Sequence, residues 1–257
     1  MFILKSIGGL AATLLALAAH AAPITFDVPV TTGPLQAPGV WYTDRYAPAG
    51  FQTDVFGGDN RLKHSISAAD SGSSRPPSFV APFYNTQGRK FDAPVATTAM
   101  QIDLYLDSAW NDTSRRYAGL WGTAFNVGNV ISYYPIIEFG MGEFRVWNGA
   151  SFVSSGQALA GLLDTWVNLG ITLTGGNWEY DINGFVVATL AANSSTYIGN
   201  VILQGHNTTA GVNYDIHWDN LNFGTRTGTV PVPGTLLLTG LALSLLAVVG
   251  RRRKLAA

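Results

Sequence analysis

Glu138-Phe139-Gly140-Met141-Gly142-Glu143 places two acids on either side of a glycine-rich stretch. Cleaving a glycosidic bond takes two carboxyl groups facing it, about 5 Å apart where configuration is retained. On one unbroken strand, a separation of five sends the two side chains to opposite faces. A bulge at the glycines would realign them. Glu138 and Glu143 are therefore the catalytic candidates if the backbone bends. On a regular strand they are two solvated acids beside a Gly-rich turn.

Other chemistry is sparse. The chain has no cysteine, which excludes disulfides, thiolate metal sites and cysteine nucleophiles. Asp54, Asp59 and Asn60 lie in a Gly-rich stretch, and Asp215 and Asp219 share an alternating face with His217. None of these has the ligand spacing of a calcium loop, so they are expected to be surface acids. His64, His206 and His217 form no zinc pattern, and neither a Gly-x-Ser-x-Gly elbow nor a phosphate loop is present. No metal or other cofactor is implied. Aromatic residues suggest a different activity. The seven tryptophans are at 41, 110, 121, 147, 166, 178 and 218. Sugar rings stack on exposed aromatics beside amides and acids. Two polar stretches offer that combination: Trp110-Asn111-Asp112, and Tyr84-Asn85 with Gln87 nearby. These five, Trp110, Asn111, Asp112, Tyr84 and Asn85, are the candidate ligand-binding residues. Tryptophans within strands are expected to be core.

The elements that must carry these residues read as strands. Met100, Ile102, Leu104 and Leu106 alternate with Gln101, Asp103, Tyr105 and Asp107, the period of a half-buried strand. Val167, Leu169, Ile171 and Leu173 repeat it, and Tyr214, Ile216 and Trp218 do so again near the end. Asn183-Gly184, between Trp178–Ile182 and Phe185–Val187, predicts a tight hairpin turn; Asn148-Gly149 predicts another. Residues 23–98 are rich in Pro and Gly and read as short strands joined by loops. No stretch of this body has helical periodicity. The expectation is an all-β, antiparallel β-sandwich spanning residues 22–226.

The two ends differ from the body. Lys5, the apolar run Ile7–Ala18 and Ala19-His20-Ala21 follow the order of a signal peptide, cut after Ala21. At the other end, Pro231-Val232-Pro233-Gly234 precedes an apolar segment at about 234–250 and then Arg251-Arg252-Arg253-Lys254. Leucines surround this segment on all sides, which suits a single transmembrane helix rather than a buried amphipathic one. The basic cluster is expected to stay cytoplasmic, with the body outside. Between the ends, ten basic residues face sixteen acidic ones, a net charge of −6. Such a body has nothing to offset phosphate repulsion, which argues against nucleic acid.

Residues 230–254 resemble the PEP-CTERM sorting tail of exopolysaccharide-producing Gram-negative bacteria, with Val232 where that family usually carries Glu. The resemblance implies cell-surface delivery and processing by an exosortase-type membrane protease. Trp166–Leu173 and Tyr180-Asp181-Ile182-Asn183-Gly184, with Trp218-Asp219-Asn220-Leu221, resemble the concanavalin-like and laminin-G-like jelly rolls. That resemblance implies a jelly-roll sandwich and polysaccharide as a partner. Glucanases of this fold carry Glu-x-Asp-x-x-Glu; here Gly140 stands in the place of the central Asp. The readings that follow are an exported envelope or matrix protein binding polysaccharide, a glycoside hydrolase or lyase, and a purely structural surface protein.

Overall fold

A computed structural model describes residues 23–70, 85–111, 116–206 and 212–224. The signal peptide with Ala19 and Ala21, and the tail with Pro231–Gly234, Arg251, Arg252 and Arg253, lie outside the described residues. Among the described residues no helix is long and apolar enough to cross a membrane.

Sixteen strands follow one another in the described residues: β1 (Thr32–Gly33), β2 (Trp41–Thr43), β3 (Gly50–Phe56), β4 (Asp59–Ile66), β5 (Thr86–Asp92), β6 (Ala99–Leu106), β7 (Tyr117–Phe125), β8 (Ile131–Tyr133), β9 (Ile136–Gly140), β10 (Glu143–Trp147), β11 (Phe152–Ser154), β12 (Thr165–Thr174), β13 (Asn177–Ile182), β14 (Phe185–Ala191), β15 (Tyr197–His206) and β16 (Tyr214–Gly224). They form two sheets. One has nine strands in the order β1-β2-β5-β15-β7-β9-β10-β11, with β8 attached to β7; the other has seven, β14-β13-β12-β6-β16-β4-β3. All pairings are antiparallel except β1 with β2. Consecutive strands repeatedly cross between the sheets, as in a jelly roll.

The period-two patterns bury as read. Met100, Ile102, Leu104 and Leu106 are buried together with Val167, Leu169 and Ile171. The register of β6 on β12 places Leu104 opposite Val167 and Ile102 opposite Leu169, so both strands present their apolar side chains to the same layer. The nine-stranded sheet answers with Leu120, Ile137, Phe139, Phe144, Val146, Val201 and Leu203. Leu173, read with its strand's inward set, is only partly buried, because β12 ends at the next residue.

The hairpin turns follow from backbone sterics. Asn183 and Gly184 both have positive φ (51° and 83°), as a type I′ turn requires. Asn148-Gly149 opens a four-residue loop instead, closed by the Asn148 side chain accepting from the N–H groups of Ala150 and Ser151. The Gly-rich stretch at 54–60 is no loop. Gly57 and Gly58 make a two-residue turn, with Asp54 on β3 and Asp59 and Asn60 on β4. The acids there are paired with cations on the outer face of the seven-stranded sheet. Arg61 holds Asp59 (2.7 Å) and Asp219 (3.0 Å), and Lys63 holds Asp54 and Asp215 (both 3.4 Å).

His64 is fully buried between the sheets, its Nε2 3.1 Å from the carbonyl of Gln87 and its ring edge-on to Phe51. Burial pushes its imidazole down to about 3. The unfolded chain therefore takes up a proton near pH 6.5 that the native chain refuses until about pH 3. Stability from this residue is complete above pH 6.5 and is lost as pH falls toward 3, at up to about 1.4 kcal/mol per pH unit. His64→Gln is expected to flatten that slope between pH 6 and 4, measured as the urea midpoint against pH. An unchanged slope would show that His64 does not set it.

Candidate functional site on the nine-stranded sheet

Glu138 and Glu143 end up on the same face, contrary to the single-strand reading. The chain reverses at Met141-Gly142, a two-residue turn with positive φ at both positions (57° and 77°). Glu143 then pairs with Gly140, and Arg145 with Glu138. Residues directly opposite in an antiparallel pair share a face, and so do residues two apart on one strand. Glu138, Gly140, Glu143, Arg145 and Trp147 all point away from the core. A turn, rather than a bulge, brings the two acids to one side.

Glu138 is not the solvated acid expected of it: it is fully buried. Its Oε1 accepts from Arg145 Nη2 at 2.5 Å. His206 Nε2 lies 3.3 Å from Oε2, near enough for charge attraction without the alignment of a hydrogen bond. Burial alone would push the Glu138 carboxyl up, but His206 and Arg145 outweigh it and hold the group below the usual carboxylate range. A carboxyl held ionised in this way is unsuited to donate a proton to a leaving sugar.

A row of residues runs across five strands at this level. Gly88 on β5 pairs with Gln204 on β15, Gln204 with Gly119 on β7, Gly119 with Glu138 on β9, and Glu138 with Arg145 on β10. The two glycines leave room for their neighbours. A Cβ at Gly88 would run into the Gln204 amide, and one at Gly119 into the indole of Trp121. At the β5 end, Gln204 Nε2 donates to Asp44 at 2.5 Å, and Asp44 also pairs with Arg45 (2.6 Å) and Lys90 (2.9 Å). The floor of this face thus holds two buried carboxylates, Asp44 and Glu138, each matched by cations.

Aromatic rings pack over and around the floor. Arg145 lies 5.0 Å from the Tyr117 ring centroid and 4.8 Å from that of Phe152, and Arg45 lies 5.4 Å from Trp121. Trp147 meets Phe152 edge-on at 5.2 Å, and Tyr117 lies 4.6 Å from the His206 ring. The Tyr214 hydroxyl ties the base of this arrangement together from beneath. It accepts from the N–H groups of Tyr117 (3.1 Å) and His206 (3.2 Å) and reaches the Tyr117 carbonyl at 2.8 Å. It does so just where the β7–β15 ladder runs out at Gln204 and Gly119. Above the buried floor, Glu143, Arg145, Trp147, Phe152, His206 and Lys90 remain partly exposed and form a rim.

The other sequence candidates fall elsewhere. Trp110 is 4 % exposed and packs against Phe139 and Tyr214, so its ring offers no face for a sugar; a short 3₁₀ turn capped by Asp107 folds it inward. Asn111 beside it is exposed. Asn85 is nearly buried at the foot of β5. Asp112 and Tyr84 lie outside the described residues. Arg145, Gln204, His206, Tyr117 and Asp44 were not singled out from the sequence. Gln204-Gly205-His206 did carry a signal, since Ile202, Gln204 and His206 alternate with the core residues Val201 and Leu203.

No protein-family model matches the sequence, and comparison with curated proteins gives no significant match. The fold has counterparts among solved structures. A GlcNAcα1-4Gal-releasing endo-β-galactosidase from Clostridium perfringens aligns with a TM-score of 0.52 at 11% identity, over 87% of this chain. The chain spans 65% of that enzyme, less than two thirds of its length. A mutant of a non-specific endo-β-1,3(4)-glucanase from family GH16 aligns at 0.51 and 9% identity, over 80% of this chain and 98% of that one. The catalytic domain of an endo-1,3-β-glucanase (laminarinase) from Thermotoga petrophila aligns at 0.50 and 11% identity, over 82% of this chain and 100% of that one. The chain has the concanavalin-like jelly-roll fold.

Removing Arg145 would leave Glu138 buried and without its hydrogen-bonded cation. Arg145→Ala is expected to cost about 3–5 kcal/mol. The pairwise replacement Glu138→Gln with Arg145→Met should cost less than the single change. Urea unfolding of the three proteins measures both. A single-mutant cost below about 1 kcal/mol, the range of a surface pair, would show that the pair does not hold this face together.

Proposed function

We propose that this chain is an exported envelope protein that binds polysaccharide on the outer face of its nine-stranded sheet. One observation carries the binding half of the reading. A rim of partly exposed Trp147, Phe152, Arg145 and Glu143 stands on a buried charge network, Glu138 with Arg145 and Asp44 with Lys90 and Arg45, that holds its side chains before any ligand arrives. Rigid aromatics beside fixed hydrogen-bonding groups suit a sugar ring, which has an apolar face and a polar edge. The structural neighbours named above are an endo-β-galactosidase and endo-β-glucanases, and the shared fold favours a glycan ligand by analogy. Export and anchoring rest on the sequence alone: the signal-peptide order at residues 1–21 and the Pro231-Val232-Pro233, apolar and Arg251–Arg253 succession at the end. An exosortase-type protease is the proposed processing partner, and the cell surface the proposed location.

A second reading has an observation of its own. Hydrolysis needs one protonated and one ionised carboxyl; Glu138, held ionised, suits the nucleophile or base and leaves the acid's part to Glu143 on the same face. Elimination from a uronic acid needs a base and an acid near its α-proton, with a group that neutralises the sugar carboxylate. His206, Tyr117 and Arg145 meet on this face with Gln204 in the same row, and His206 would act as the base in its neutral form. Elimination and hydrolysis are thus the two enzymatic alternatives at this face.

Affinity electrophoresis of the full-length protein through gels containing neutral or uronate polysaccharides tests the binding reading. Trp147→Ala with Phe152→Ala should weaken retardation at least tenfold while the unfolding midpoint stays measurable. Equal retardation by both proteins would reject this face as the site. Ultraviolet detection of unsaturated products on a uronate polysaccharide, abolished by His206→Ala, would establish the lyase reading instead. For the tail, replacing Arg251, Arg252 and Arg253 with Ser should shift the protein away from the cell surface on fractionation. Unchanged surface display would leave only a plain anchor.

A further inference from the structure

We infer a second sugar-binding subsite at the far end of the same sheet face, suited to a neutral pyranose. A cavity of about 710 Å³ opens there, between the end of β15 and the turn joining β5 to β6. None of the residues discussed around Glu138 lines it. Asn200 and His206 are six residues apart on β15, so the cavity lies about 20 Å along the strand from the Glu138–His206 end of the rim, with Lys90 of the rim two residues from Asp92.

Local sequence builds the cavity. The β7–β15 register slips between Ile198 and Asn200, which leaves Gly199 as an extra residue and keeps Ile198 pointing into the core. Beyond the bulge Tyr197 stands opposite Phe125, and their rings lie parallel, 5.4 Å apart and 13° from coplanar. A side chain at Gly199 would collide with the Phe125 ring, so the glycine is what allows this pair its position. The opposite wall is Ala93–Ala96. It is held in a turn by Thr97, whose N–H and hydroxyl both bond the Pro94 carbonyl, and Ala96 sits at a positive φ of 62°.

The polar lining is one carboxylate, Asp92, among amide and hydroxyl groups. Asp92 is fixed by two bonds from the Gln36 amide (both 2.9 Å) and one from the Tyr42 hydroxyl (2.9 Å). Asn129 Oδ1 accepts from the Tyr197 hydroxyl at 2.9 Å, which locks that ring. Asn200 Oδ1 has no hydrogen-bond partner. Two half-buried aromatic rings beside an oriented carboxylate and two amides match the apolar face and hydroxyl edge of a pyranose. A sugar carboxylate placed here would meet Asp92 with no cation among the lining residues, which sets this subsite apart from the cation-bearing rim around Arg145.

Calorimetric titration of the full-length protein with neutral β-gluco-oligosaccharides tests the inference. Binding is expected, weakened at least tenfold by Tyr197→Ala and less than threefold by Tyr197→Phe, which keeps the ring and loses only the bond to Asn129. Glu179→Gln, on β13 of the other sheet, serves as the unaffected control, and Arg145→Met with Glu138→Gln reports binding at the rim. Loss of binding in the rim variant with none in Tyr197→Ala would overturn the subsite and leave the rim reading standing. Equal losses in Tyr197→Phe and Tyr197→Ala would show that stacking is not the cause and would also overturn it. No binding of any neutral oligosaccharide to the unaltered protein would reject the subsite, whatever acidic polysaccharides do at the rim.

Discussion

Strands β7 and β15 lie at the middle of the nine-stranded sheet, and β7 is buried on both faces along nearly its whole length. A sheet between a hydrophobic core and open water would carry apolar side chains on one face only. Here the second face must also be packed, and its residues are not all apolar: Trp121 and Ile202 sit beside Gln204 and Glu138. Every buried polar group on it then needs a partner. The pairing of Glu138 with Arg145 and His206, and of Asp44 with Lys90, Arg45 and Gln204, answers that demand for the charges, while Gln204 Oε1 keeps no hydrogen-bond partner.

The same requirement explains the glycines. A flat amide or indole lying across a neighbouring strand needs space above the backbone, and Gly88 and Gly119 provide it on both sides of Gln204. Gly140 does the same for the Tyr117 ring. Glycine is a weak strand former, so its presence at these central positions marks where side chains lie close over the main chain. The two faces of the sandwich differ accordingly. The outer face of the seven-stranded sheet leaves Asp54, Asp59 and Asp215 in contact with water and with Arg61 and Lys63, while Asp219, expected at the surface, is buried against Arg61. The outer face of the nine-stranded sheet encloses its charges and presents aromatic rings around them.

The jelly-roll class was legible because its cause is local. Alternation at Met100–Leu106 and Val167–Ile171 decides which side of a strand is buried, and the sterics of Asn183-Gly184 decide where a hairpin turns. The site was only partly legible. Glu138 and Glu143 were recognisable as a pair, but treating them as one strand gave the wrong geometry. Met141 offers little turn propensity by type, and its positive φ is imposed by the hairpin around it. Trp110 next to two polar residues suggested an exposed ring, and the 3₁₀ turn at Ser108–Trp110 folds it into the core.

The amino-acid sequence alone determined the period-two strands, the acidic body without cysteine, and the contrasting character of the two ends. All of these depend on residue type and short-range spacing. Tertiary structure alone decided that Glu138 is a buried, ionised partner of Arg145 and His206 instead of a solvated acid. The three residues come from strands whose adjacency in space is set by sheet order, β15 beside β7 beside β9 beside β10. A charge's environment depends on what lies across the sheet from it, and no spacing along the chain encodes that.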